Sequence, residues 1–159
     1  MSAEAGNGEP GPDPGPPREG PAIGAVLFFD GECGLCNGLV RILIRLDGPG
    51  RLHYAPLQGL SAQAYLRAHG LPTEDFDSLI LVPDWSRRDR GAHLLRTDGV
   101  VAALRVVGGL AAPLAWLAVV PRAWRDAAYK GVARIRYRLF GVWRPRPLAR
   151  PEWAARFLP

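Results

Sequence analysis

The apolar positions of this chain fall into two rhythms. Ile23 to Phe29 is an unbroken apolar stretch of strand length that stops at Asp30-Gly31. Asn37 to Leu46 instead repeats at helical spacing, with Leu39, Val40, Leu43, Ile44 and Leu46 on one face, and Asp47-Gly48-Pro49-Gly50 ends it. Arg51 to Ala55 predicts a second strand, closed by Pro56. Ser61 to His69 predicts a helix, with Ser61 as its N-cap and Gly70 and Pro72 after its end. Asp77 to Val82 predicts the third and central strand. After a turn at Pro83-Asp84-Trp85-Ser86, Ala92 to Arg96 predicts a fourth strand, returning antiparallel to the third. The order β-α-β-α-β-β describes a mixed four-stranded sheet with helices on its faces.

Beyond residue 96 the pattern is helical throughout. Thr97-Asp98 is placed to cap Val100–Val107. Ala111–Val119 follows Gly108-Gly109 and carries Pro113 near its start, and a long helix runs from Pro121 to Phe140, stopped by Gly141. A short helix closes the chain around Glu152–Phe157. Val106 to Val120 holds no charged residue, but its 15 residues would rise only about 22 Å as a helix, short of the ~30 Å hydrocarbon core of a membrane. The expectation is therefore buried helices packed on the sheet. Residues 1–21 contain six Pro and five Gly with almost no large apolar side chains, the composition of a disordered tail. That leaves residues 22–159 as one domain, with the C-terminal helices from about residue 97 included in it.

Composition changes the picture in two places. Nearly half the residues are hydrophobic, which suits a globular core, and the start of the chain lacks the basic and apolar regions of a signal peptide. A cytoplasmic location is the resulting expectation. Net charge is +5, but ten Lys/Arg stand against only Asp126 and Glu152 from Pro121 onward, so the basic character is C-terminal. A solvated helical face is the reading preferred for it. No nucleic-acid motif accompanies the charge, and nucleic acid is not an expected partner.

The chemistry lies in Asp30-Gly31-Glu32-Cys33-Gly34-Leu35-Cys36, where the only two cysteines stand three apart between a strand and a helix. A Cys-x-x-Cys at such a junction is the layout of a thioredoxin-like redox site. The free amides of a helix N-terminus stabilise a thiolate. Cys33, nearer the helix start, is expected to be the more exposed sulfur and the nucleophile; Cys36, one turn deeper, resolves the mixed disulfide. Glu32 opposes the thiolate by about 0.7 kcal/mol at ~6 Å in water, against about 0.3–1 kcal/mol from the helix end. A modestly lowered Cys33 pKa is the expected balance. A purely structural disulfide would close one turn and hold nothing distant. A zinc site needs about four ligands, and His53, His69 and His93 are scattered without a second cysteine pair, so neither a metal nor another cofactor is expected. Asp30 admits two readings: a proton acceptor for Cys36, or a turn-former bonding the amides of the cysteine loop.

The stretch Asp30 to Gly38 resembles the signature of the DCC family of thiol-disulfide oxidoreductases, named for the Asp and two Cys that correspond to Asp30, Cys33 and Cys36. Similar segments recur at Tyr54-Ala55-Pro56-Leu57-Gln58, Leu71 to Ser78, Arg136-Tyr137-Arg138-Leu139-Phe140-Gly141 and Arg156-Phe157-Leu158. The likeness runs from about Val26 to Leu158. It implies a thioredoxin-like α/β fold, with Cys33, Cys36 and Asp30 at the site, and a packing or docking role for Arg136-Tyr137-Arg138 near it. Many members carry a third cysteine in the tail, where this chain has Arg146. The reading is an enzyme that exchanges thiols and disulfides with a protein or small-molecule substrate and draws on a cellular reductant. The rival is a non-catalytic thioredoxin-like binding module, its basic C-terminal surface meeting an acidic protein or an anionic membrane.

Overall fold

The computed structural model describes residues 23–74, 76, 78–142 and 148–159; the expected tail at 1–21 and Arg146 lie outside them. Four strands, β1 (Ala25–Phe29), β2 (Leu52–Pro56), β3 (Ile80–Val82) and β4 (Leu94–Leu95), form one sheet in the order β2-β1-β3-β4. β1 and β2 are parallel, with Leu27 opposite Tyr54. β3 is antiparallel to both β1 and β4, with Leu27 opposite Leu81. This is the mixed thioredoxin-like sheet that the element order predicts. β1, β3 and β4 are shorter than the segments that predict them, β2 is shifted by one residue to include Pro56, and Asp77, expected to open β3, is outside the described residues.

β1 is an unbroken apolar run because both of its faces are covered. Ala25, Leu27 and Phe29 point into a core with Leu52, Tyr54 and Leu81, closed by Val40, Leu43 and Ile44 of α1 (Gly34–Leu46) and by Ala103, Leu104 and Val107 of α3 (Arg96–Val107). Val26 and Phe28 point the other way, onto Ala62, Tyr65 and Leu66 of α2 (Leu60–Ala68). Each large side chain so buried contributes roughly 1.5–3 kcal/mol. With β1 central and parallel to β2, their carboxyl ends lie side by side, and Leu57 N–H donates to the Phe29 carbonyl at 2.8 Å.

Three helix starts differ from expectation. α1 begins at Gly34, three residues before Asn37, because Cys33 itself caps it. α2 begins at Leu60 without a side-chain cap, and Ser61 donates its N–H to the carbonyl of Pro159 at 2.7 Å. α3 begins at Arg96, so Thr97 and Asp98 lie inside it: the Thr97 hydroxyl donates to Asp126 at 2.6 Å, and Asp98 pairs with Arg122 and Arg125.

The larger corrections are C-terminal. Gly109–Val119 is a 3-10 segment, and it is not buried: Ala111 alone in it is fully covered, while Leu110, Trp116 and Val119 stand in solvent. Its Gly-Gly start, Pro113 and near-continuous apolar character leave no single face for the sheet to cover. Among the described residues no helix is long and apolar enough to cross a membrane. α4 (Arg122–Phe140) has the expected length. Its one fully buried side chain is Arg136, while Ile135, Leu139 and Phe140 stay substantially exposed. The last helix is a 3-10 turn, Pro151–Arg156. Beyond it, Phe157 pairs with Tyr54 in parallel, and Leu158 N–H donates to the Tyr54 carbonyl at 2.8 Å, covering the free edge of β2.

Candidate active site

At the carboxyl end of β1 the chain leaves the sheet through Asp30 and Gly31 and turns into α1. Cys33 is extended (φ −83°, ψ 122°) and occupies the N-cap position, its Sγ accepting the Cys36 N–H at 3.5 Å. A sulfur that accepts an amide of the first turn of a helix stands where negative charge is stabilised. The preceding loop is tied from two sides. Asn37 Nδ2 donates to the carbonyls of Gly31 (2.8 Å) and Cys33 (3.0 Å). Gln58, just past β2, accepts the Gly31 N–H at 3.0 Å and donates to Asp30 Oδ1 at 2.9 Å. Glu32 points to solvent, where water weakens its repulsion of the sulfur.

The order of exposure is the reverse of that expected. Cys33 is fully buried, and Cys36 retains 8% of its surface. The cover comes from the end of α4. Gly141, at φ +65°, ends that helix and turns the chain so that Val142 pairs antiparallel with Cys33, while Gly34 N–H donates to the Gly141 carbonyl at 3.2 Å. The approach is so close that a Cβ on Gly34 would lie 2.4 Å from the Phe140 carbonyl oxygen, so the middle of the motif admits only glycine there.

Asp30 is buried and takes four donors. Oδ1 accepts the Glu32 N–H (3.0 Å) and Gln58 Nε2; Oδ2 accepts Arg136 Nη2 (3.1 Å) and the Tyr137 hydroxyl. Arg136, also buried, donates in addition to the Phe76 carbonyl. Asp30 thereby joins the end of β1, the segment after β2 and α4. Burial pushes the Cys36 thiol up to about 12, helped by its hydrogen bond and proximity to Cys33, with Arg136 pulling the other way. Burial and the bond to Asp30 raise Tyr137 to about 12.

The remaining exposure of Cys36 opens into an apolar cavity of about 540 Å³ between α1, α3, Leu117–Val120 and α4, walled among others by Leu35, Leu39, Val100, Trp124 and Val132. The histidines take no part. His69 and His93 gather around Tyr65 on the opposite face of the sheet, and His53 lies on β2. Among the described residues no three His, Cys, Asp or Glu side chains are grouped to hold a metal ion.

All three site residues expected from the sequence, Asp30, Cys33 and Cys36, come together here, and Arg136-Tyr137 joins them. Gln58 and Gly141-Val142 were not singled out as site residues. Gln58 and Gly141 lie in segments shared with the family, and Gly141 was read as the stop of the long helix; Val142 carried no signal.

Residues 27–142 match the family described as DCC1-like thiol-disulfide oxidoreductase. An uncharacterized protein of Bacillus subtilis (strain 168), YuxK, is 34% identical over 134 residues, covering 84% of this chain and 93% of its own. A chloroplastic DCC family protein of Arabidopsis thaliana is 29% identical over 117 residues, 73% of this chain but only 64% of that one. No solved structure matches.

Proposed function

The chain belongs to the DCC1-like thiol-disulfide oxidoreductase family, and we propose that Cys33 and Cys36 carry its chemistry by cycling between dithiol and disulfide through a mixed disulfide. The observation that supports this most is the unequal setting of the two sulfurs. Both sulfurs are buried, but Cys33 Sγ accepts a helix amide at 3.5 Å, whereas burial together with the hydrogen bond to the neighbouring Cys33 pushes Cys36 up to about 12. Cys33 is thus the sulfur suited to carry charge, as nucleophile and as leaving group. In the reducing direction Gly141-Val142 moves off Cys33, its thiolate attacks a substrate disulfide, one substrate thiolate leaves, and Cys36 gives up its proton to displace the second. A protein or small-molecule disulfide is the substrate class, and a thiol reductant closes the cycle.

Of the two roles open to Asp30, the occupancy of its oxygens favours the holding one. Four donors fill the lone pairs of a carboxylate, one of them a buried guanidinium. Asp30 then acts by fixing the loop that aims Cys33 at the helix.

The test is thiol titration of the full chain. Mild oxidation should remove both thiols in a monomeric product, dithiothreitol should restore them, and Cys36→Ser should accumulate a mixed disulfide with a peptide disulfide substrate. Two thiols that survive oxidation, or that are lost only as dimers, would exclude this function.

A further inference from the structure

The cavity beside Cys36 is not used by any step above. It lies between packed elements, its volume of about 540 Å³ falls in the range of small-molecule sites, and its walls are mostly aliphatic and aromatic. It also meets the redox pair at the one sulfur with any exposure, since Cys33 is sealed under Gly141-Val142. The Leu79 N–H, beside β3 in the cavity wall, is already bonded to the Tyr129 hydroxyl at 2.8 Å.

We propose that this cavity binds a small apolar thiol, the reductant of the oxidised pair, and that Cys36 is the sulfur the thiol attacks. The proposal rests on the redox reading of Cys33 and Cys36 and adds to it a ligand class and a direction of approach. The electrons balance in two steps. The thiolate RS⁻ attacks Cys36 Sγ, forming R–S–S–Cys36 and breaking the Cys33–Cys36 bond. Cys33 departs as a thiolate on the helix amide, the better leaving group of the two. A second RS⁻ attacks the R sulfur, giving R–S–S–R, and Cys36 leaves and takes up a proton from solvent. Two thiols are oxidised by two electrons, and the protein disulfide becomes a dithiol.

The apolar lining sets specificity. A phenyl ring entering it leaves water, whereas a sulfonate or carboxylate would give up its hydration to a wall with little to replace it. Of the two guanidiniums in the wall, Arg136 is already committed to Asp30 and Phe76, and Arg125 to Asp98 and the Val120 carbonyl.

The experiment is reduction of the oxidised full chain by benzyl mercaptan and by 2-mercaptoethanesulfonate, each rate expressed per thiolate, with acid quenching and peptide mapping of the adduct. Benzyl mercaptan should react faster by about tenfold or more, and its adduct should map to Cys36. Ala128 lies on the exposed side of α4 against the cavity, so Ala128→Trp should fill the space from outside. It should abolish the benzyl preference, slowing benzyl mercaptan by more than it slows the sulfonate thiol. Val132→Glu, at a half-exposed wall position, should do the same and serves if Ala128→Trp misfolds. Equal rates for the two thiols, a preference that survives a folded variant, or an adduct on Cys33 would overturn the cavity proposal alone. A chain that forms no Cys33–Cys36 disulfide would overturn the redox reading as well.

Discussion

α1 is flanked at both ends by a buried aspartate, and each aspartate is met by an arginine more than a hundred residues away. At the C-terminal end, Asp47 accepts the N–H groups of Arg51 (3.1 Å) and Leu52 (2.9 Å), and Arg156 adds contacts to its carboxylate (3.3 Å) and carbonyl (2.9 Å). At the N-terminal end, Asp30 accepts one backbone amide and three side chains, from Gln58, Arg136 and Tyr137. The two poles differ in what holds the acid. Local backbone fixes Asp47 whether or not Arg156 arrives. Asp30 depends on side chains from distant elements, so the docking of α4 and the shape of the cysteine loop are one arrangement.

The largest expected effect follows from breaking the second pole. Arg136→Met removes the cation from a pair whose side chains are both at least nine-tenths buried. Stranding a buried charge in this way costs about 3–5 kcal/mol. Urea denaturation should show that loss, and exchange with a peptide disulfide should fall with it even in the fraction still folded, because the loop loses its anchor. A variant as stable as the parent would mean that α4 does not hold Asp30.

Arg156→Met makes the matching change at the first pole, where the consequence should be smaller. Asp47 keeps two amide donors, so the cost should be about 1–3 kcal/mol. Disulfide exchange per folded molecule should not change. If exchange slows several-fold, the two ends of the helix are coupled and the contrast drawn between them fails.

The same contrast explains what could be read along the chain. Strand order and the helices on the sheet were legible because their signals are local: β1 is apolar without interruption, α1 has its apolar stripe, and Gly or Pro punctuates each end. The cysteine pair was legible by spacing, and Asp30 by its place in the signature. The start of α1 was missed because capping rules look for Ser, Thr, Asp or Asn, and here a cysteine caps. The burial of Cys33 was not legible, since its cover, Val142, is brought by a helix 109 residues downstream. The uncharged run from Val106 to Val120 was wrongly read as buried at Leu110, Trp116 and Val119, and the charge count put the arginines of α4 outside when Arg136 is the residue that goes in. Both errors come from assuming that apolar side chains decide which face is buried. At α4 a carboxylate at the end of β1 decides it.

The smallest change at the Asp30 pole, Tyr137→Phe, isolates one of its four donors. The ring is substantially exposed and keeps its contact with the Arg136 guanidinium, 5.1 Å from the ring centre, so removing the hydroxyl should leave the packing intact. Asp30 retains three donors, and the loss at neutral pH should be about 1 kcal/mol. The pH dependence identifies the source. Folding raises the Tyr137 pKa from the ordinary 10 to about 12, so the unfolded chain gives up this proton first. The contribution is therefore whole below pH 10 and fades as pH rises toward 12. The raised pKa of Cys36 acts in both proteins and cancels in the comparison. Urea denaturation of the reduced parent and the variant between pH 8 and 12 should show two curves separated below pH 10 and converging above it. A gap that stays constant to pH 12 would mean that the hydroxyl proton is not what Asp30 holds, and would leave Arg136 and Gln58 as its only side-chain anchors.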